Sequence, residues 1–290
     1  MTYSVNTPQT PFPTTHVDSR IPALGYGLWQ VPAETSAELV SRALQTGYRL
    51  IDTAEAYYNE EDVGEGIRAS GVAREEIFVT TKVWNTHHGY DQTLQAFDAS
   101  QQRLGLDRLD MYLMHWPSQI RDTYVETWQA MIRLRDEGRV GAIGVCNFSI
   151  GQLQRLMRET GVAPVLNQVE LHPYFQQKEL RAFHREQGII TQSWSPLGVW
   201  SQKPNPGLSP LQAPPILELA ERYSKSPAQI ILRWHLDSGL ATLSKSVRPE
   251  RIVENFQLFD FALTPEEIRM LAELDRPDGR LGPDPETADF

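Results

Sequence analysis

The chain has 290 residues, 40% of them hydrophobic and 22% charged, with a formal net charge of -10. That length suits one α/β barrel, and an acidic surface argues against long-range attraction to nucleic acid or anionic membrane while leaving room for a local basic pocket. A single cysteine, Cys146, excludes an intramolecular disulfide and a cysteine-rich zinc or iron–sulfur site, and it fits a reducing cytoplasm.

Residues 1–15 are polar and carry Pro8, Pro11 and Pro13. They lack the basic start and apolar run of a secretory signal and read as a mobile arm or lid. No run of about 20 apolar residues offers a membrane span. Pro22 to Trp29 reads as a first strand whose glycines allow close backbone approach. Ser36 caps the helix that follows, with Leu39, Val40, Ala43 and Leu44 on its apolar side and Gly47 as its stop.

From there apolar runs alternate with helical patterns. Strands are predicted over Tyr48 to Asp52, Ile77 to Val83, Met111 to His115, Ala142 to Cys146, Val165 to Glu170, Ile189 to Trp194 and Leu240 to Ser244. Eight such strands with helices between them imply parallel pairing, right-handed crossovers and a closed (β/α)8 TIM barrel. An open doubly wound sheet is the alternative. Phe259 to Phe261 reads as an extended connection rather than a ninth strand. Thr264 then caps a last helix that Pro265 starts, and residues 276–290 are expected to form a tail across the surface, over the active-site mouth. With no domain boundary in view, residues 1–290 are expected to form one domain.

A barrel of this kind keeps its chemistry at the C-terminal ends of the strands. In order those exits offer Trp29, Asp52 with Tyr57, Lys82 with Trp84, His115 with Trp116, Asn147, Gln168 with Glu170, Trp194 with Ser195, and Lys245 with Ser246. Taken alone, Asp52 reads equally well as a helix cap and Tyr57 as a half-buried aromatic. Taken together, Asp52, Tyr57, Lys82 and His115 can do one kind of chemistry. A tyrosine of pKa near 10 is a poor acid at neutral pH, and a neighbouring Lys82 is expected to lower that value. Asp52 would keep Lys82 charged, and His115 would bond the substrate oxygen. The set could protonate an oxygen while hydride reaches the adjacent carbon. Trp29, Tyr58, Trp84 and Trp116 are expected to wall a substrate pocket, with packing beneath loops as the alternative.

These four residues lie in Ile51-Asp52-Thr53-Ala54 through Tyr57, Thr80-Thr81-Lys82-Val83-Trp84-Asn85 and Tyr112-Leu113-Met114-His115-Trp116-Pro117. With Gly144-Val145-Cys146-Asn147-Phe148, Asn167-Gln168-Val169-Glu170-Leu171-His172-Pro173 and Ser193-Trp194-Ser195-Pro196-Leu197, the chain from about Ile21 to Pro285 resembles the aldo-keto reductase family. Trp234 to Gly239 and Arg280 to Pro285 look most like its bacterial 2,5-diketo-D-gluconic acid reductases. The resemblance implies NADPH across the barrel mouth. Asn147 and Gln168 would fix the carboxamide, Trp194 would stack on the nicotinamide, and Ser195 and Leu197 would lie along the pyrophosphate. Lys245, Ser246, Val247 and Arg248 would clamp the 2'-phosphate, with Arg251, Glu254 and Asn255 at the adenine. Lys245, Arg248 and Arg251 fall within seven residues of an otherwise acidic chain, which suits a dianionic phosphate. The expected enzyme is a monomeric, cytoplasmic, NADPH-dependent carbonyl reductase acting on 2,5-diketo-D-gluconate or a related dicarbonyl or keto ester, with methylglyoxal and other aldehydes as the alternative.

The chain departs from the family's common pattern at three places. Tyr58 stands where a small residue is usual and would narrow the pocket. Cys146 replaces a serine that bonds the cofactor. Ser244 replaces a proline and would loosen the phosphate clamp. Three other readings were open. Gly64-Glu65-Gly66-Ile67-Arg68-Ala69 matches a dinucleotide fingerprint but lacks the preceding strand. Lys82 at a strand end could form a Schiff base. The barrel could also bind NADPH without catalysis. No histidines have metal-ligand spacing, His184 and His235 read as structural, and His172 stands outside the expected active set.

Overall fold

Eight strands pair in chain order and the last closes on the first. The computed structural model describes residues 20–199 and 209–288; the expected N-terminal arm, residues 1–15, lies outside them. The strands are β1 (Leu24–Gly27), β2 (Leu50–Asp52), β3 (Phe78–Val83), β4 (Leu109–Met114), β5 (Val140–Cys146), β6 (Leu166–Glu170), β7 (Ile190–Trp194) and β8 (Ala241–Ser244). Every pairing is parallel, so each strand must return through a crossover. The crossovers carry α1 (Ala33–Thr46), α2 (Glu60–Ala69), α3 (Tyr90–Leu104), α4 (Tyr124–Asp136), α5 (Ile150–Thr160), α6 (Lys178–Gln187), α7 (Pro214–Tyr223) and α8 (Pro227–Asp237). Two more helices, α9 (Pro249–Phe256) and α10 (Pro265–Ala272), follow β8. This is the TIM barrel, and the open sheet is excluded.

The strands are buried on both faces, which is why they read as continuous apolar runs. Leu50, Met111, Leu113, Ala142, Leu166 and Leu243 fill the barrel interior together with Cys146. Their neighbours along the strands, Ile51, Tyr112, Val145 and Val169 among them, join the layer beneath the helices. Each fully buried Leu or Ile contributes about 1.5–3 kcal/mol.

Several local expectations are corrected. Ser36 does not cap α1. The helix begins at Ala33 behind Pro32, and the buried Ser36 hydroxyl instead donates to the Pro32 carbonyl at 2.9 Å, the back-bonding open to a hydroxyl within a helix. The first strand covers only Leu24–Gly27 of the expected Pro22 to Trp29. Helix α9 was not anticipated, although Pro249 at its first turn was its signal. Thr264 does cap α10, in a capping box with Glu267.

The paired glycines of α2 are a packing device rather than a nucleotide loop. A Cβ on Gly64 would lie 2.1 Å from the Leu104 carbonyl oxygen of α3, and one on Gly66 would lie 2.5 Å from the Ala37 carbonyl oxygen of α1. Only glycine lets α2 sit this close to both neighbours.

His184 and His235 are core residues. The Asn167 amide donates to His184 Nε2 at 3.1 Å, which places the ring proton on Nδ1 toward Thr191 Oγ1 at 2.8 Å. Burial pushes His184 and His235 down to about 4 and His88 to about 3. These three imidazoles stay neutral in the fold while the unfolded chain takes up protons below about 6.5. Their contribution is therefore present above pH 6.5 and lost as pH falls toward the folded values. Each costs up to ~1.4 kcal/mol per pH unit, so unfolding free energy should fall by as much as ~4 kcal/mol per unit between about pH 6 and 5. Urea unfolding across that range measures it, and a flat profile would contradict three neutral buried histidines.

Candidate active site

The C-terminal strand ends surround a cavity of about 670 Å³. Asp52 ends β2, Lys82 lies on β3, and His115 follows β4 directly. Tyr57 closes a single 3-10 turn, Glu55–Tyr57, that leaves β2. Glu55 fastens that turn to the exit of β3. Its Oε2 accepts the Trp84 backbone N–H at 3.0 Å, and its Oε1 meets His87 Nδ1 at 2.7 Å.

All three donors of the Lys82 ammonium are used. They reach Asp52 Oδ1 at 2.5 Å, the Thr53 carbonyl at 2.9 Å and the Tyr57 hydroxyl at 3.4 Å. The other Asp52 oxygen accepts from Gln168 Nε2 at 2.9 Å. Every hydrogen bond to Asp52 is thus donated to it, which favours the carboxylate. Burial alone would pull the Lys82 ammonium down, but the charge of Asp52 and the Tyr57 phenol more than offset it, and its pKa lies above the ordinary value. Lys82 is charged and 0% exposed. A Schiff-base nucleophile has to be a neutral amine that substrate can reach, so that reading loses its footing.

The expected fall in the Tyr57 pKa is not what the free site shows. Burial pushes it up to about 12, and Lys82 recovers only part of that rise. The phenol is therefore a proton reserve whose anion Lys82 is placed to stabilise. Burial and the nearby Lys82 charge drive His115 well below the ordinary histidine value, so its imidazole is neutral. Its ring lies 5.6 Å from the Tyr57 ring and 5.0 Å from the Trp84 ring, edge to face with both. Between Tyr57 and His115 the site can hold an oxygen, give it a proton and tolerate the phenolate left behind.

Trp29, Tyr58, Trp84 and Trp116 all line the cavity. Tyr58 is 87% exposed and holds a left-handed φ of 55°, so it stands at the mouth. Asn147, Gln168, Trp194, Ser195, Leu197 and Lys245 also line it. Asn147 Nδ2 donates to the His115 carbonyl at 3.0 Å, and its Oδ1 accepts the Trp194 indole N–H at 2.8 Å. Gln168 donates both amide protons, to Asp52 and to Gln192 Oε1 at 2.8 Å, leaving its carbonyl oxygen for a ligand. Cys146 lies inside the barrel among apolar side chains, its thiol raised by burial.

The remaining candidates do not line the cavity. Ser246, Val247 and Arg248 form the loop after β8, and Arg251, Glu254 and Asn255 lie on α9. Arg248 and Arg251 are exposed, and neither pairs with a carboxylate among the described residues. Ser244, expected to loosen the clamp, is itself held by a hydrogen bond. Its hydroxyl bonds the buried Tyr48 hydroxyl at 2.9 Å, and Tyr26 donates to the Ser246 carbonyl at 2.7 Å. One phenol thus holds the end of β8 and the other the loop that follows it. Pro283 lines the cavity from the C-terminal tail expected over the mouth, whereas sequence reasoning did not anticipate Glu55 or Gln192. Their only signal was proximity, which spacing along the chain does not carry. Among the described residues no cluster of three His, Cys, Asp or Glu is placed to hold a metal, and no helix is long and apolar enough to cross a membrane.

A family model described as the aldo/keto reductase family matches residues 23–276. A methylglyoxal reductase, DkgA, of Escherichia coli is 49% identical over 271 residues, 92% of this chain and 94% of that protein. A morphine 6-dehydrogenase of Pseudomonas putida is 48% identical over 275 residues, 93% of each chain. The crystal structure of a Gox0644 mutant in complex with NADPH superposes with a TM-score of 0.88 at 44% identity, covering 96% of this chain and 98% of that one.

The buried pair makes a stability prediction. Asp52→Asn leaves the Lys82 ammonium without a counter-charge and should cost about 3–5 kcal/mol. Combining Asp52→Leu with Lys82→Met should cost less than the sum of the two single changes, because no lone charge is left inside. Denaturant midpoints of the four proteins form the cycle, and additive costs would rule out the coupling.

Proposed function

The chain belongs to the aldo/keto reductase family, and from that premise we propose that it reduces small α-dicarbonyl compounds, methylglyoxal among them, with Tyr57 as the general acid. It is an NADPH-dependent oxidoreductase. The observation that carries the reading is the hydrogen-bonded row of Asp52, Lys82 and Tyr57 beneath His115.

The residues present fit the cofactor. The Gln168 carbonyl oxygen and the remaining Asn147 amide proton suit a carboxamide, and the Trp194 indole offers a flat face. Ser195 and Leu197 would lie along the pyrophosphate. Lys245, Ser246, Val247 and Arg248 would hold the 2'-phosphate, and Arg251, Glu254 and Asn255 the adenine end. Exposed cations without carboxylate partners suit a phosphate on a chain of net charge -10. When bound, NADPH supplies hydride to the carbonyl carbon.

The chain's own residues do the rest. His115, held neutral, donates a hydrogen bond to the carbonyl oxygen and orients it toward Tyr57. The Tyr57 hydroxyl passes its proton to that oxygen as negative charge builds there. Lys82 stabilises the resulting phenolate, and Asp52 keeps Lys82 charged. The aromatic walls exclude water from the reacting carbon.

Methylglyoxal is favoured because E. coli DkgA, named for that activity, is 49% identical. The segments Trp234–Gly239 and Arg280–Pro285 favour 2,5-diketo-D-gluconate as a second dicarbonyl. A morphine dehydrogenase at 48% identity shows that similarity alone leaves the pocket's choice open. The acidic surface and lone buried thiol suit a monomer in the cytoplasm.

Loss of NADPH absorbance with each dicarbonyl tests this directly; absence of turnover with both would reject the substrate class. Tyr57→Phe should bind NADPH as before and lose at least about 100-fold in turnover, within the usual range for a general acid. Near-normal turnover would remove Tyr57 from that role. Arg248→Ala should weaken NADPH by about 1.5–3 kcal/mol, the range for hydrogen bonds to charged groups, and leave NADH little changed. Equal weakening of both cofactors would take Arg248 off the 2'-phosphate.

A further inference from the structure

Glu170 ends β6 and is 1% exposed, yet the proton-transfer row makes no use of it. A buried carboxylate needs donors, and Glu170 finds them far away in the chain. Its Oε1 accepts the Leu281 backbone N–H at 2.6 Å, and its Oε2 accepts that of Gly282 at 2.8 Å. His172 Nε2 lies 3.1 Å from Oε1 and completes the set.

The turn held this way touches the site. A Cβ on Gly282 would lie 2.6 Å from Cη2 of Trp194 and 2.9 Å from Glu170 Oε2. Glycine alone fits between the carboxylate and the indole. The next residue, Pro283, lines the cavity.

Contacts on both sides extend this strap. Arg276 donates its backbone N–H to the Tyr174 carbonyl at 3.0 Å, and its guanidinium lies 4.1 Å over the Tyr174 ring. The Arg280 guanidinium stacks on Phe175 at 4.6 Å. Beyond Pro283, Glu286 accepts from Gln119 of the loop after β4 at 2.7 Å. The tail therefore runs from the β6 side of the mouth to the β4 side, and Glu170 pins its middle.

We propose that Glu170 is a positioning residue, acting through the Leu281–Gly282 backbone to hold the Trp194 indole and the Pro283 wall in place. The functional part of this inference rests on the reading of Trp194 and the cavity given above; the anchoring does not. Glu170→Gln keeps the volume but turns an amide NH2 toward one of two backbone N–H groups, so one bond is lost and two donors face each other.

Hydrogen exchange of the Leu281 and Gly282 amides in Glu170→Gln should speed up by roughly 10–100-fold, with β4 and β5 unchanged. The KM for methylglyoxal should rise about tenfold while kcat moves less than about twofold, as expected when binding is lost and the chemical step is kept. Unchanged exchange at the two amides, or a rise throughout the barrel, overturns the anchoring. Faster exchange at the turn with an unchanged KM overturns the positioning role. Gly282→Ala displaces the turn with Glu170 intact, so it gives the same reading if Glu170→Gln fails to fold. An unchanged KM in Gly282→Ala also overturns the proposal. Failure of the unaltered enzyme to reduce methylglyoxal would reject the substrate while leaving the exchange result standing.

Discussion

A lysine ammonium and an aspartate carboxylate 2.5 Å apart inside a barrel are the constraint on which the rest of the site depends. Such a pair seldom stabilises a fold by itself, since the cost of stripping water from both ions rivals their attraction. It persists here because neighbouring groups use up nearly every remaining donor and acceptor. Thr53 gives a carbonyl, Gln168 gives an amide proton, and Gln192 fixes the Gln168 amide in turn. These partners come from two strands, β6 and β7, and from the connection after β2. Only a closed sheet with its register set could bring them together. The site's charge arrangement and the barrel's closure are in this sense one requirement.

The barrel was legible because strands covered on both sides cannot hide their apolar runs, and because Gly47, Gly71, Gly138 and Gly188 mark where helices stop. The chemistry was legible because polar residues at strand exits are conspicuous against those runs. What failed depended on surroundings. A serine near a helix start suggests a cap, but only the path of the chain shows that Pro32 precedes the first turn and leaves Ser36 inside. A lysine near a tyrosine suggests a depressed pKa, but the depth of burial, which reverses the sign, is a property of the fold. Ser244 suggested slack, yet hydrogen bonds from Tyr48 and Tyr26, some 200 residues earlier in the chain, meet Ser244 and Ser246 there.

The cavity wall has two kinds of component. Trp29, Trp84 and Trp116 leave the barrel directly at strand ends, so their placement follows from the sheet. Tyr58 and Pro283 belong to connecting segments. Tyr58 sits beyond a short turn in a left-handed conformation, and Pro283 lies midway along a tail fastened by hydrogen bonds and stacked guanidiniums. The strand-borne part changes only if the barrel changes. The segment-borne part can shift while Asp52, Lys82 and Tyr57 stay where they are, which suits a fold whose relatives carry names as different as methylglyoxal reductase and morphine 6-dehydrogenase.

The two phenols that grip the end of β8 and the loop after it bear on how such a protein diversifies. Tyr26 fastens that loop through the Ser246 carbonyl and Tyr48 fastens the end of β8 through the Ser244 hydroxyl, so neither bond is made to the side chain of Lys245, Arg248 or Arg251. The loop's shape is thus inherited separately from its charge. A lineage can exchange those basic side chains for neutral or acidic ones without unmooring the segment that displays them. The charge displayed at this edge of the barrel mouth is therefore open to drift and selection one exposed residue at a time, with the buried pair left untouched.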